Sequence, residues 1–165
     1  SVPNEMKEAA AVMGVKLLCE KDIQELLKNV SKIDNDRAIL RALHFYKENE
    51  RVDKEYEAAL KNDTESLLTA ITESGRSSWK WLQNCYTTQD IKDQKISLAL
   101  ALTQLFLERT GRGVCRIHGG GFAGVIACVL PKDETPDYVD YISEYFGREN
   151  VYPMNIRLFG AGHVE

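Results

Sequence analysis

The chain has 165 residues, one domain's worth of polypeptide and enough for a sizeable core. Hydrophobic residues make up 44% and charged residues 28%, a balance that fits an ordinary soluble globular protein. The net charge of -4, with Lys and Arg scattered, gives no basic footprint for nucleic acid, and no apolar run reaches membrane-spanning length.

In chain order, Asn4 is positioned to cap a short helix over residues 5–13, which Gly14 ends. A short apolar connector follows at 15–19. Asp22 caps a helix over 23–30 whose Ile23, Leu26, Leu27 and Val30 share one face. Asn35 or Asp36 opens a long helix running to about Lys61. Its apolar face is read as Ile39, Leu40, Leu43, Val52, Tyr56, Ala59 and Leu60. The stretch 47–57, KENERVDKEYE, reads as a solvated face with Glu50 paired to Lys54. Asn62 and Asp63 break that helix and cap the next, whose core face is Leu67, Leu68 and Ile71. Gly75 is expected to interrupt it, with a restart at Ser77 or Ser78 through Trp79, Trp81 and Leu82. Trp79 and Trp81 cannot share a helical face, so one is expected inside and the other at an edge. Asp90 is taken to begin a long helix containing ISLALALTQLFL, apolar nearly all round and therefore expected to be buried on several sides.

Gly111 and Gly113 then turn the chain into residues 116–130, RIHGGGFAGVIACVL. Two apolar, β-branched runs at 113–117 and 124–130 flank Gly119, Gly120 and Gly121, with Phe122 and Gly124 completing the loop. The local reading is strand, glycine loop, strand. Two functions stand open for the glycines. Successive backbone N–H groups can converge into a concavity that binds an anion. Alternatively, the segment is a hairpin turn with surplus glycines. It is neither a P-loop nor a dinucleotide fingerprint, because no Gly-Lys-Ser/Thr follows and no helix opens directly after it. Pro131 closes the second strand, Thr135 caps a helix over 137–146 with Pro136 at its first position, and Gly147 stops it. Residues 151–159 read as a final strand and 160–165 as a tail. The fold class is α+β, an antiparallel sheet covered by helices. It is read as one domain over 1–165, helical over about 4–110, with the glycine hairpin, helix and last strand over about 113–160.

The four cysteines, Cys19, Cys85, Cys115 and Cys128, form no CxxC pair and lie at no zinc-binding spacing, so they are read as reduced thiols, mostly buried as small hydrophobes. Cys115 and Cys128 fall on the two flanking strands, a placement that can bring them near one another, so a bridge between them is possible but is not the expectation. His118 abuts the loop, where an imidazole is suited to proton transfer, but it is read as packing beside the loop. Ser74, Ser77, Ser78 and Glu73 read as helix-capping groups, and His44 and His163 as ordinary histidines. Asp53, Glu55 and Glu57 read as solvated. The opening SVPNEMKEAA has no signal pattern, which leads us to expect a cytoplasmic address.

These residues carry a family resemblance. RIHGGGFAGVIACVLP resembles the third motif of the GHMP kinases, in the Gly-Gly-Gly-Phe form of the galactokinases. NEMKEAAAVMGV, ALHFYKENERV, ESGRSSWKWLQN and NIRLFGAG resemble successive segments of a galactokinase's second half. His118 and Ala123 stand where the usual loop has Thr and Gly, a variant resembling a bacterial subgroup. The Gly-Glu-His-x-Asp-Tyr segment, the Gly/Ser-rich phosphate motif and the Asp near the sugar hydroxyl are not in these residues. The resemblance is therefore to the C-terminal domain, which implies a ferredoxin-like antiparallel sheet. It implies a full-length parent that phosphorylates galactose at the anomeric hydroxyl with ATP and Mg²⁺. It also implies partners, galactose and ATP, engaged through an N-terminal domain outside the chain. The site residues it implies are Gly119, Gly120, Gly121, Phe122 and Gly124, with no catalytic or metal residue in this chain. Taken alone, the chain is expected to be inactive, to bind no cofactor and to self-associate through an exposed interdomain face. The alternatives are a non-catalytic sugar-sensing or interaction module of the same fold, or another sugar-1-kinase.

Overall fold

A computed structural model describes residues 1–121 and 124–156. Two compact units divide the chain, Ser1–Val129 and Leu130–Glu165.

The first unit is built on five α-helices and a strand pair. Helix α1 (Val2–Val12) starts at Ser1, not at Asn4, because Pro3 suits the first helical turn and so extends the helix toward the N-terminus. Its end is fixed by backbone bonds from Gly14 N to the Ala11 carbonyl and from Val15 N to the Ala10 carbonyl. A single 3-10 turn, Leu18–Glu20, leads to α2 (Ile23–Asn29), where the Asp22 carboxylate accepts from Glu25 N at 2.9 Å, as the sequence leads one to expect. Helix α3 (Asp36–Leu60) is capped by the Asn35 side chain. It meets α1 through Ala9, Ala10, Ala38 and Ala42, all fully buried. Four methyl-sized side chains allow two helices to approach closely. Met13, Leu18, Leu26, Ile33 and Tyr46 complete this core. The Glu5 carboxylate of α1 spans the same contact, taking Arg37 at 2.7 Å and also Arg41, whose Nε donates to the Leu82 carbonyl at 3.0 Å.

Two features of the expected core face of α3 differ. Val52, Tyr56, Ala59 and Leu60 are exposed, and Arg51 and Ala58 are buried in their place. Glu48 and Arg51 of the KENERV segment turn inward, and Glu50 pairs with Lys47 at 2.8 Å. A polar face chosen by burial of paired charges overrides the apolar count.

Asn62 takes a left-handed conformation (φ 53), and the Asp63 carboxylate caps α4 (Thr64–Ser77) by accepting from Ser66 N. Gly75 does not interrupt α4. A Cβ at that position would stand 3.0 Å from Arg116 Cβ and 3.3 Å from the Cys115 carbonyl. Glycine there sets the distance between helix and strand, so the helix tolerates its poor propensity. One π-turn, Ser78–Leu82, extends α4 and closes at Gln83 (φ 55). Neither tryptophan is fully buried: Trp79 lies exposed, edge-on to Tyr86, and Trp81 is half-buried.

Helix α5 (Lys95–Thr110) begins five residues after Asp90. Gln94 folds back on the preceding loop, accepting from Thr87 N and donating to the Thr87 and Asp90 carbonyls. These bonds hold residues 87–94 out of the helix. Contrary to its composition, α5 is buried mainly along Ile96, Thr103, Phe106 and Leu107, and Leu98 and Leu105 are exposed.

Strands β1 (Val114–Ile117) and β2 (Ile126–Val129) form an antiparallel pair in the register Val114–Val129, Cys115–Cys128, Arg116–Ala127 and Ile117–Ile126. Ile117 packs with Cys85 and Ile96, and Leu100 and Ile126 lie against them. In the second unit, α6 (Thr135–Phe146) carries Pro136 in its first turn, as expected, and ends at Gly147 (φ 82). Among the described residues, 151–156 form no strand. The remainder of the expected last strand, the tail and His163 lie outside the described residues.

Candidate functional site

The glycine loop sits at the end of a two-stranded neck. His118 N donates to the Val125 carbonyl at 3.0 Å, which extends the ladder one pair past Ile117–Ile126. The His118 side chain is exposed. Beyond it the three glycines divide into two kinds. Gly119 and Gly120 are exposed, and a Cβ at either would meet nothing within 4 Å. Gly121 is buried at φ +72, and a Cβ there would fall 2.3 Å from the Asn84 carbonyl and 2.7 Å from Asn84 Cβ. Only glycine allows both that backbone conformation and that contact. Asn84 is itself almost fully buried, so it forms a fixed seat for the loop. Gly124 lies at the mouth of a cleft of about 210 Å³, lined also by Thr87, Asp93, Lys95 and Ile96. Phe122, the remaining sequence-predicted site residue, lies outside the described residues, as does Ala123.

Behind the neck lies a polar cluster that sequence reasoning missed. Glu48 of α3 accepts from the Ser74 hydroxyl of α4, pairs with Arg51 at 2.6 Å and meets Arg116 of β1 at 3.5 Å. His44, one turn earlier, shares a 2.9 Å hydrogen bond with Ser77. Burial pushes the His44 imidazole below its ordinary value, although the Glu48 charge opposes this. Burial also works against ionisation of Glu48. The Ser74 hydroxyl and the Arg51 guanidinium outweigh it and hold the carboxyl below the usual range. Ser74 and Ser77 are therefore partners across a helix pair and not caps. The signal was present as spacing: His44 and Glu48 at i,i+4 face Ser74 and Ser77 at i,i+3. Asp53 and Glu57 are exposed, as expected, whereas Glu55 is half-buried. Burial pushes the thiols of Cys85 and Cys115 up to about 11. Among the described residues no group of three or more His, Cys, Asp or Glu side chains gathers as a metal site.

What the arrangement offers chemically is a two-stranded neck that presents unobstructed backbone at Gly119 and Gly120. Such backbone suits close approach by a ligand or an opposing loop, and suits an anion where its N–H groups converge. No family model matches the chain. In sequence it is 27% identical over 147 residues to a galactokinase of Glaesserella parasuis and 29% identical over 147 residues to one of Actinobacillus pleuropneumoniae. Each match covers 88% of this chain and 36% of the relative. The crystal structure of Lactococcus lactis galactokinase complexed with galactose matches it in fold with a TM-score of 0.67 at 19% identity, over 91% of this chain and 37% of that one. Along most of its length the chain is similar to galactokinases. Its helix-rich fold with a small antiparallel sheet agrees with the α+β class read from the sequence. The chain spans about a third of the length of the galactokinases it matches, which fits a C-terminal portion of such an enzyme. No helix among the described residues is long and apolar enough to cross a membrane.

Proposed function

We propose that this chain is the C-terminal portion of a cytoplasmic galactokinase of the GHMP type. The complete polypeptide transfers the γ-phosphoryl group of ATP to the anomeric hydroxyl of galactose. The observation that carries this reading is the match to galactokinases along nearly the whole chain, in sequence and in fold. The hairpin supports it, because Gly119 and Gly120 are open to approach from outside.

Phosphoryl transfer leaves little covalent work to the protein, and catalysis rests on positioning and charge stabilisation. In this reading Gly119, Gly120, Gly121, Phe122 and Gly124 line the cleft against the nucleotide and sugar. Exposed glycine backbone brings N–H donors within reach of phosphate oxygens with no side chain between. Gly121 contributes by seating the loop on Asn84. No residue of this chain is assigned proton transfer. Mg²⁺ accompanies the nucleotide, and the described residues supply no ligand cluster for it. Galactose and ATP are held largely by the portion of the polypeptide outside this chain.

The test is galactose-dependent ADP release by the complete polypeptide that carries this segment. Turnover with galactose, with Gly120→Asp reducing it about a hundredfold or more while circular dichroism is unchanged, is the expected result. A folded Gly120→Asp variant that turns over normally removes the loop from the site.

A further inference from the structure

Cys115 and Cys128 are directly opposite one another in the ladder at the neck of the glycine hairpin. The class of that pair follows from the ladder. His118 N donates to the carbonyl of its own partner, Val125, so His118–Val125 is a hydrogen-bonded pair. Pairs alternate along an antiparallel ladder. Arg116–Ala127 is therefore hydrogen-bonded too, while Cys115–Cys128 exchanges no backbone bonds. In pairs of that class the Cα atoms lie about 4.5 Å apart and both side chains project from the same face. That separation falls inside the range of about 4.4–6.8 Å that a disulfide spans. Both residues are half-buried, so a small oxidant can reach them, whereas Cys85 is almost fully buried.

We propose that Cys115 and Cys128 are an oxidative modification site, forming a reversible disulfide across the neck of the glycine hairpin at the expense of a low-molecular-weight disulfide. One protein thiolate attacks the small disulfide and releases one small thiol, leaving a mixed disulfide. The facing protein thiolate then attacks the protein sulfur of that bond and releases the second small thiol. Two protein thiols lose two electrons and two protons, and the small disulfide becomes two thiols. Burial of Cys115 bears on both directions. A thiol held at about 11 attacks slowly, and it is also a poor leaving group, so the bond once formed resists reduction. The bridge ties β1 to β2 immediately below the loop and limits how far residues 116–127 can open.

The experiment uses the folded 165-residue chain in glutathione buffers of increasing oxidised fraction, quenched with N-ethylmaleimide and digested with trypsin. Cleavage after Arg112, Arg116 and Lys132 puts the two cysteines in different peptides. The expected product is a linked pair of those peptides, about 2 Da lighter than their sum. Amide exchange through 114–129 should slow by about tenfold or more on oxidation. Exposed Cys19 reports that the oxidant has acted, as a mixed disulfide with glutathione. The proposal is overturned if Cys19 is glutathionylated while Cys115 and Cys128 both carry maleimide. Stable mixed disulfides at both positions, with no linked pair, overturn it equally. Cys115→Ser and Cys128→Ser should each abolish the link; if either variant fails to fold, the wild-type peptide map still decides. Only the effect on catalysis rests on the kinase reading. In the complete polypeptide, oxidation should lower turnover, a reducing agent should restore it, and Cys115→Ser should be insensitive. Absence of turnover in the reduced enzyme would count against the kinase reading and leave the disulfide standing.

Discussion

Two neighbouring glycines, alike in sequence, differ in what a methyl group would do. At Gly121 it would meet the Asn84 carbonyl in a left-handed backbone, so Gly121→Ala should destabilise the chain by about 2 kcal/mol or more. At Gly120 it would meet nothing, and Gly120→Ala should stay within about 0.5 kcal/mol of wild type. Urea denaturation of both variants checks the contrast; equal midpoints would mean that the loop is not seated on Asn84. The polar cluster behind the neck makes a second prediction at this scale. His44 folds with a lowered pKa, so the unfolded chain binds the proton more tightly, and stability is fully present above the ordinary 6.5. It declines as pH falls from there toward the folded value. Glu48 and Glu5 are also lowered, from 4.5, and add a second loss at lower pH. Denaturation midpoints from pH 8 to about pH 2 should therefore fall in two stages, and His44→Gln should remove the first. Glu48→Gln should cost about 2 kcal/mol even at neutral pH, because it leaves Arg51 and Arg116 short of a counter-charge.

Among the elements, helices α2, α3 and α4 were legible because their starts are written locally, in Asp22, Asn35 and Asp63. Which face each helix buries was less legible. The apolar row Val52, Tyr56 and Leu60 competed with a polar row that pairs across two helices, and the pairing lies far apart in sequence. Helix α5 began late because Gln94 bonds to a loop seven residues back, which helix periodicity cannot register. In the site, the hairpin and its glycines were readable, but the seat at Asn84 was not, since nothing in the sequence ties residue 84 to residue 121. Gly75 shows the same limit, and it makes a prediction. By helix propensity alone, Gly75→Ala should stabilise α4 by about 1 kcal/mol. The Arg116 Cβ and the Cys115 carbonyl block the added methyl, and neither is the end of a flexible side chain. We expect a net loss of about 1 kcal/mol by thermal denaturation, since overpacking costs about 1–3 kcal/mol. A gain would show that β1 can move away from α4.

For the whole molecule, the relevant fact is that the chain matches about a third of each relative. Two apolar rows on its surface then have a physical consequence. Val52, Tyr56 and Leu60 follow i,i+4,i+8 spacing on α3, and Leu98, Ala101 and Leu105 follow i,i+3,i+7 spacing on α5; all six residues are exposed. Apolar rows of this kind favour association when nothing else covers them. The net charge of -4 is modest for a chain of this length, so electrostatic repulsion between copies is weak. The chain alone should therefore self-associate as its concentration rises, and sedimentation velocity should resolve species heavier than the monomer. Replacing Leu98 and Leu105 together by Glu should return the monomer if α5 carries the contact, and Tyr56→Glu should do so if α3 carries it. Salt separates this from a charge-driven contact, because apolar association persists at high ionic strength whereas exposed ion pairs are screened. A chain that sediments as a monomer at every concentration, with no dye binding to apolar surface, would show that these rows are too narrow to join two copies.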